Sequence, residues 1–176
     1  MNPDDVPDHE RLLQEERDIR ARLGDRPLDF VSMQAIANVY RAATAVRRTA
    51  ERELLMEAGL SWGGFTILWV LWVWGEMETA RLATECDLAK GTLTGMLNTL
   101  ERQELVTRTR LQSDRRRVLV SLTPDGLAAI EELFPRFNGL EQKMTVGLTV
   151  GQKQELAALL RVVITNAQDG PEDGGT

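Results

Sequence analysis

The residues best suited to chemistry are ionic and lie close together. Asp114, Arg115, Arg116 and Arg117 follow one another and run into Val118-Leu119-Val120-Ser121-Leu122, then into Thr123-Pro124. Guanidinium groups bind phosphate as forks, and Asp114, two residues before Arg116, is placed to orient that side chain through a bidentate ion pair. A second cluster lies upstream. Lys90, Gly91, Thr92 and Thr94 open a segment in which Leu93, Met96, Leu97 and Leu100 recur at helical spacing. A helix that enters the major groove of DNA needs small polar or cationic residues near its start and an apolar back face to dock it. A short arginine-rich hairpin is suited to a narrow minor groove, where the phosphates on both sides deepen the negative potential. Gly91 lets a backbone approach closely, but it also removes a side chain that could read a base. A solvated basic turn is the plainer alternative for the arginines, because exposed ion pairs contribute little.

Other chemistry finds no support. His9 is the one histidine, so neither a metal site nor a histidine-dependent triad can be assembled. Gly63-Gly64 lacks the pattern of a phosphate-binding loop, and Glu131-Glu132 reads as a solvated helix surface. Cys86, the one cysteine, reads as a small core thiol, with oxidant sensing as the alternative. No catalytic residue, metal or cofactor is expected, and nothing argues for an enzyme. The longest apolar run, residues 67–74, is far too short to span a bilayer, so no membrane partner is expected.

The elements that must position these clusters are mostly helical. Residues 1–9 are rich in proline and aspartate and are expected to be disordered, and residues 10–23 read as a short helix. Asp29 is placed to cap a long helix ending near Gly59, and Ser61 to cap the next, from Trp62 to Trp74. Thr79 is expected to cap a short helix through Cys86. A turn at Asp87-Leu88 leads to a second helix over residues 89–103. Residues 105–110 and 118–122 read as two strands around an arginine-rich tip. Thr123 with Pro124 starts another helix, which Pro135 is expected to kink or interrupt, and Thr149 with Gln152 forms a capping box for the last. The fold class is therefore mainly α with a small β-wing: a winged helix-turn-helix flanked by N- and C-terminal helices. The divisions are an acidic extension over 1–29, helical regions at 30–60 and 124–167, a winged helix-turn-helix at 61–123, and a disordered tail at 168–176.

A net charge of −6 looks wrong for a DNA binder until it is divided along the chain. Residues 1–29 hold nine acidic and five basic side chains, and residues 168–176 add three acids. Between Lys90 and Arg117, seven basic residues face three acidic ones. Screening acts over about 8–10 Å, so the local excess decides what binds there.

Residues 30–167 resemble the MarR family of bacterial transcription regulators. The motifs are LAxxxxLxxGTLTGMLxxLExxxLVTR from Leu82 to Arg108, DRRxxxVxLTxxG from Asp114 to Gly126, and Leu148-Thr149 opening the last helix. The resemblance implies a homodimer in which the first long and last helices interlock, with Phe30, Met33, Leu156, Leu159, Leu160 and Val163 as interface candidates. It implies double-stranded DNA as partner, contacted by Lys90, Gly91, Thr92, Thr94, Arg108, Asp114, Arg115, Arg116 and Arg117. Many members carry a basic residue where this chain has Gly95. The added N-terminal helix is similar to the urate-responsive branch, whose ligand residues do not follow: Arg20, Thr66 and Gly95 stand at three of their positions, and Arg108 alone is retained.

Trp62, Trp69 and Trp72 fall on one helical face, as a ligand wall or as core. Arg20, Trp62, Phe65, Thr66 and Trp69 are the pocket candidates for a small-molecule effector of unknown identity. The expected function is a ligand-responsive repressor on a palindromic operator, located in the cytoplasm with the nucleoid. The alternatives are a winged-helix protein-interaction module and a ligand-independent architectural DNA-binding protein.

Overall fold

The computed structural model describes residues 12–110 and 117–169, in two compact units divided between Arg48 and Thr49. The expectations for residues 1–9, for the Asp114–Arg116 tip and for 170–176 lie outside the described residues.

The first unit holds α1 (Gln14–Leu23) and most of α2 (Phe30–Ala50). Among the described residues the first helix starts at Gln14, with Leu12 and Leu13 outside it. Its start is fixed by Glu16, 5% exposed, whose carboxylate accepts from the Leu13 backbone N–H at 2.6 Å and from Asn38 Nδ2 at 2.8 Å. A buried carboxylate needs such donors to offset its desolvation. Asp29 caps α2 as expected: its Oδ1 accepts from the N–H groups of Val31 and Ser32, and its Oδ2 from Ser32 Oγ. These bonds, the Ser32 hydroxyl first, hold the Asp29 carboxyl below its ordinary range. After α2 the chain widens into a π-type turn over Glu51–Leu55, which buries Leu54 and Leu55.

The second unit is built around α3 (Trp62–Trp74), the most apolar helix of the chain. Ser61 Oγ accepts from the Gly64 N–H at 3.1 Å, and Gly75, at φ 76°, ends the helix. Ile67, Leu68 and Val70 are fully buried, because other elements cover α3 on several sides. No helix among the described residues is long and apolar enough to cross a membrane.

Next come β1 (Met77–Glu78), α4 (Thr79–Glu85), α5 (Lys90–Arg102), β2 (Val106–Arg110), β3 (Val118–Leu122), α6 (Pro124–Met144) and α7 (Val150–Asp169). Thr79 is the first residue of α4 and not its cap; the cap position belongs to Glu78, which makes no side-chain capping bond. The sheet is antiparallel in the order β1-β3-β2, with Met77 opposite Val120 and Arg108 opposite Val120 on the other side. The strand β1 has two residues, too few for alternation to announce it.

Thr123 caps α6 by accepting from the Gly126 N–H at 2.9 Å. Pro135 does not interrupt α6. It sits on the exposed face between Leu133 and Phe137, and Glu131, the residue whose carbonyl it leaves without a helical donor, is exposed as well. The Thr149–Gln152 capping box forms in both directions. Gln168 and Asp169, expected in the tail, are the last residues of α7. No residue of α7 is buried.

Candidate nucleic-acid interface

The helix α5 is docked by Leu93, Leu97 and Leu100, each at most 2% exposed, against the core shared with α3 and α4. This apolar stripe leaves Lys90, Gly91, Thr92, Thr94, Gly95, Asn98 and Glu101 on the exposed face. The short turn from α4 places Asp87 at φ 51°, which swings the chain so that α5 leaves at an angle to α4. Thr94 Oγ1 donates to the Lys90 carbonyl at 2.8 Å, so this hydroxyl keeps lone pairs for donors and has no free hydrogen to offer. A cleft of about 480 Å³ runs beside α5, lined by Gly91, Thr92, Gly95 and Thr99 on one side and by Gly59, Ser61 and Gly64 on the other.

Two arginines expected at DNA are engaged inside the domain. Arg108, on β2, donates from Nε to Glu101 Oε2 at 3.1 Å, and its Nη2 pairs with the same oxygen and reaches Asn98 Oδ1 at 2.7 Å. Arg117, at the foot of β3, makes a fork with Glu78: Nε to Oε2 at 2.9 Å, and Nη2 to Oε1. Each carboxylate is held below its ordinary range, chiefly by the hydrogen bond from its arginine, against a smaller opposing effect of burial. Sequence reasoning missed both pairs. Glu101 stood on the outward face of a helix and Glu78 in a stretch without pattern, and neither is close to its arginine along the chain. Asp114, Arg115 and Arg116 lie outside the described residues.

The aromatic candidates for an effector pocket are packed against neighbours. Phe65 is 4% exposed, with its ring 5.0 Å from Phe137, and Trp62 stands edge-on to Phe137 at 5.9 Å. Trp72 contacts Phe134 at 5.2 Å, and Trp69 contacts Trp74 at 5.1 Å. Thr66 Oγ1 donates to the Trp62 carbonyl at 2.9 Å. None of Trp62, Phe65, Thr66 and Trp69 lines the cleft beside α5. Arg20 is exposed on α1, in the first unit. Cys86 is half-buried at the end of α4, and desolvation, aided by the charge of Glu85, pushes its thiol from 9.0 up to about 11. That thiol stays protonated at neutral pH, the opposite of what a reactive sensor cysteine needs.

The chain is similar to known proteins in sequence and in fold. The family model described as "MarR family" matches residues 60–118. The chain is 37% identical over 161 residues to the uncharacterized HTH-type transcriptional regulator YwaE of Bacillus subtilis, covering 90% of this chain and 94% of that one. Among solved structures it is similar to a mutant MarR from E. coli complexed with operator DNA, at 27% identity and a TM-score of 0.64, covering 73% of this chain and 95% of that one. It is also similar to BpsR of Bordetella bronchiseptica, whose DNA binding is regulated by 6-hydroxynicotinic acid, at 25% identity and a TM-score of 0.66, covering 73% and 98%.

Proposed function

The chain belongs to the MarR family of transcriptional regulators, and from that premise we propose that it acts as a homodimer on a palindromic operator, as a repressor released by a small molecule. The observation that carries the reading is the outward face of α5, polar and open from Lys90 to Asn98, on a helix whose other face is locked into the core. In this reading Lys90, Gly91, Thr92 and Thr94 enter the major groove, and Asp114 orients Arg116 into the minor groove with Arg115 at the phosphates. Two such heads, related by a twofold axis, match two half-sites about one helical turn apart.

The homodimer is supported by α7. Leu156 is 47% exposed, Leu159 59% and Ile164 53%, and Leu160 and Val163 are half-buried; a helix with this much bare apolar surface gains by pairing. On α2, Val31 and Tyr40 are similarly bare, while Phe30 and Met33 are half-buried beside Glu16 and Ile19. Regulation by a ligand is supported by the likeness to BpsR, and makes small aromatic acids the first class to screen. Such a ligand shifts DNA affinity only by binding the two states of the dimer unequally.

The test is a titration of the full-length protein against a labelled duplex enriched from a random library, at several salt concentrations, with sedimentation for the oligomeric state. Affinity falls steeply with salt if phosphates are neutralised. Arg116→Ala is expected to lose about 1–3 kcal/mol of duplex binding. A flat salt response overturns the DNA reading in favour of a protein partner, and a monomer at the working concentration overturns the homodimer.

A further inference from the structure

The two internal arginine–carboxylate pairs stand at related places. Arg108 is opposite Val120, and in an antiparallel sheet directly opposed residues share a face, so Arg108 lies on the face that carries the buried Val106 and Val120. Glu78 is opposite Leu119, and Arg117 precedes Leu119 by two residues, so this pair takes the other face. The Arg108 pair ties β2 to α5 at two acceptors, Glu101 and Asn98, and the Arg117 fork ties the foot of β3 to β1, immediately before α4. The backbone ladder fixes the register of β2 on β3. It does not fix the tilt of that hairpin against α5, because a ladder resists sliding far better than rigid-body rocking. The Arg108 pair opposes rocking against α5 directly, and the Arg117 fork, which lies within the sheet, acts through β1, which leads straight into α4, the helix packed against α5.

We propose that Glu78 and Glu101 are positioning residues for DNA recognition: by holding Arg117 and Arg108 on opposite faces of the hairpin, they set its angle to the recognition helix α5. The proposal rests on the DNA-binding reading and assigns these two arginines to anchoring within the domain, Arg108 largely covered and Arg117 half-exposed at the sheet surface. Geometry supports that assignment. Arg108 has 25% of its side chain exposed and is held at three points, and the Arg117 pair is a two-point fork. Such forks fix direction as well as distance. Both carboxylates keep their charge below the ordinary carboxylate range, so the anchors persist through the neutral and mildly acidic range.

The test compares Glu101→Gln, Glu78→Gln and the charge-exchanged double variants Glu101→Arg/Arg108→Glu and Glu78→Arg/Arg117→Glu with the parent. The readout is affinity for the same enriched duplex across salt concentrations, and the circular dichroism and melting of each variant establish its fold. The pairs are exposed enough that folding should survive. Parent binding that is salt-sensitive establishes the DNA reading independently of the variants. Each glutamine variant should then bind about three- to tenfold more weakly, with an unchanged salt slope. The exchanged variants should recover most of that loss, since the anchor returns with its polarity reversed. Binding that is unchanged or tighter in the glutamine variants overturns the proposal. So does failure of both exchanges combined with a salt slope lower by about one per arginine removed, which is the mark of a direct phosphate contact.

Discussion

Replacing Gly126 with alanine is expected to be among the most damaging single-methyl changes in the second unit. Gly126 lies in the first turn of α6, and a Cβ built there would stand 1.9 Å from the Leu105 carbonyl oxygen and 2.8 Å from its carbon. Real Cβ contacts under 3.0 Å are essentially unknown, so the two backbones must part by more than an ångström. That same carbonyl accepts from the Thr123 N–H at 3.1 Å, and Thr123 Oγ1 donates to the Glu104 carbonyl at 2.5 Å while accepting from the Gly126 N–H. The displacement therefore disturbs a cap and two bonds that tie the start of α6 to the residues leading into β2. Overpacking costs about 1–3 kcal/mol, a lost cap about 1, and the two weakened tying bonds together about 1. Part of the gain in helix propensity, at most about 1 kcal/mol, returns. A net loss of roughly 2–4 kcal/mol follows, measured as a shift in urea midpoint at constant slope. Thr123→Ala, which removes the cap and the hydroxyl's bond to the Glu104 carbonyl but leaves the two backbones in place, should lose about 1–2 kcal/mol. A Gly126→Ala protein within about 0.5 kcal/mol of the parent would refute this account of how α6 is seated.

Gly95 is the contrasting case: nothing lies within 4 Å of a Cβ placed there, so Gly95→Ala should raise stability by about 0.5–1 kcal/mol. The same variant should bind duplex more weakly if DNA approaches that face, and equal affinity would show that it does not. Cys86 should react with iodoacetamide at pH 8 about a hundredfold more slowly than an ordinary thiol, since a pKa near 11 leaves far less thiolate. Because its folded pKa lies above the ordinary 9.0, the folded chain keeps the proton longer, and stability should fall as pH rises from about 9 to about 11. A Cys86→Ala protein whose alkaline melting curve matches the parent's would locate that loss elsewhere.

The elements legible in the sequence are those whose ends are written in side-chain chemistry. Asp29, Ser61, Thr123 and Thr149 each cap the helix they announce. Thr79 misleads because a hydroxyl before a helical pattern is only a candidate cap. Here the chain leaves a strand at Glu78, and the Glu78 carboxylate is already engaged by Arg117. Pro135 does not break the helix, which was one of the two outcomes expected of it: a proline disrupts a helix through an unpaired carbonyl and a steric clash, and on an exposed face water can satisfy the carbonyl. Both ion pairs are long-range products of the hairpin register, which no local period encodes.

The candidate interface was legible in outline because apolar periodicity fixes which face of α5 is turned away from the core. What that face does depends on residues that packing leaves unexplained. Gly91 and Gly95 have helical backbones, need no positive φ, and leave open space where a Cβ would go. Alanine at either place would favour the helix by about 1 kcal/mol, so neither the fold nor the backbone accounts for glycine. Side chains that could read bases are thereby confined to Lys90, Thr92, Thr94 and Asn98, and Asn98 already accepts a bond from Arg108. On the proposed reading, a recognition helix so sparsely furnished places more of the discrimination on the hairpin and on DNA shape. The angle at which that hairpin is held then matters more than it would beside a helix rich in arginine.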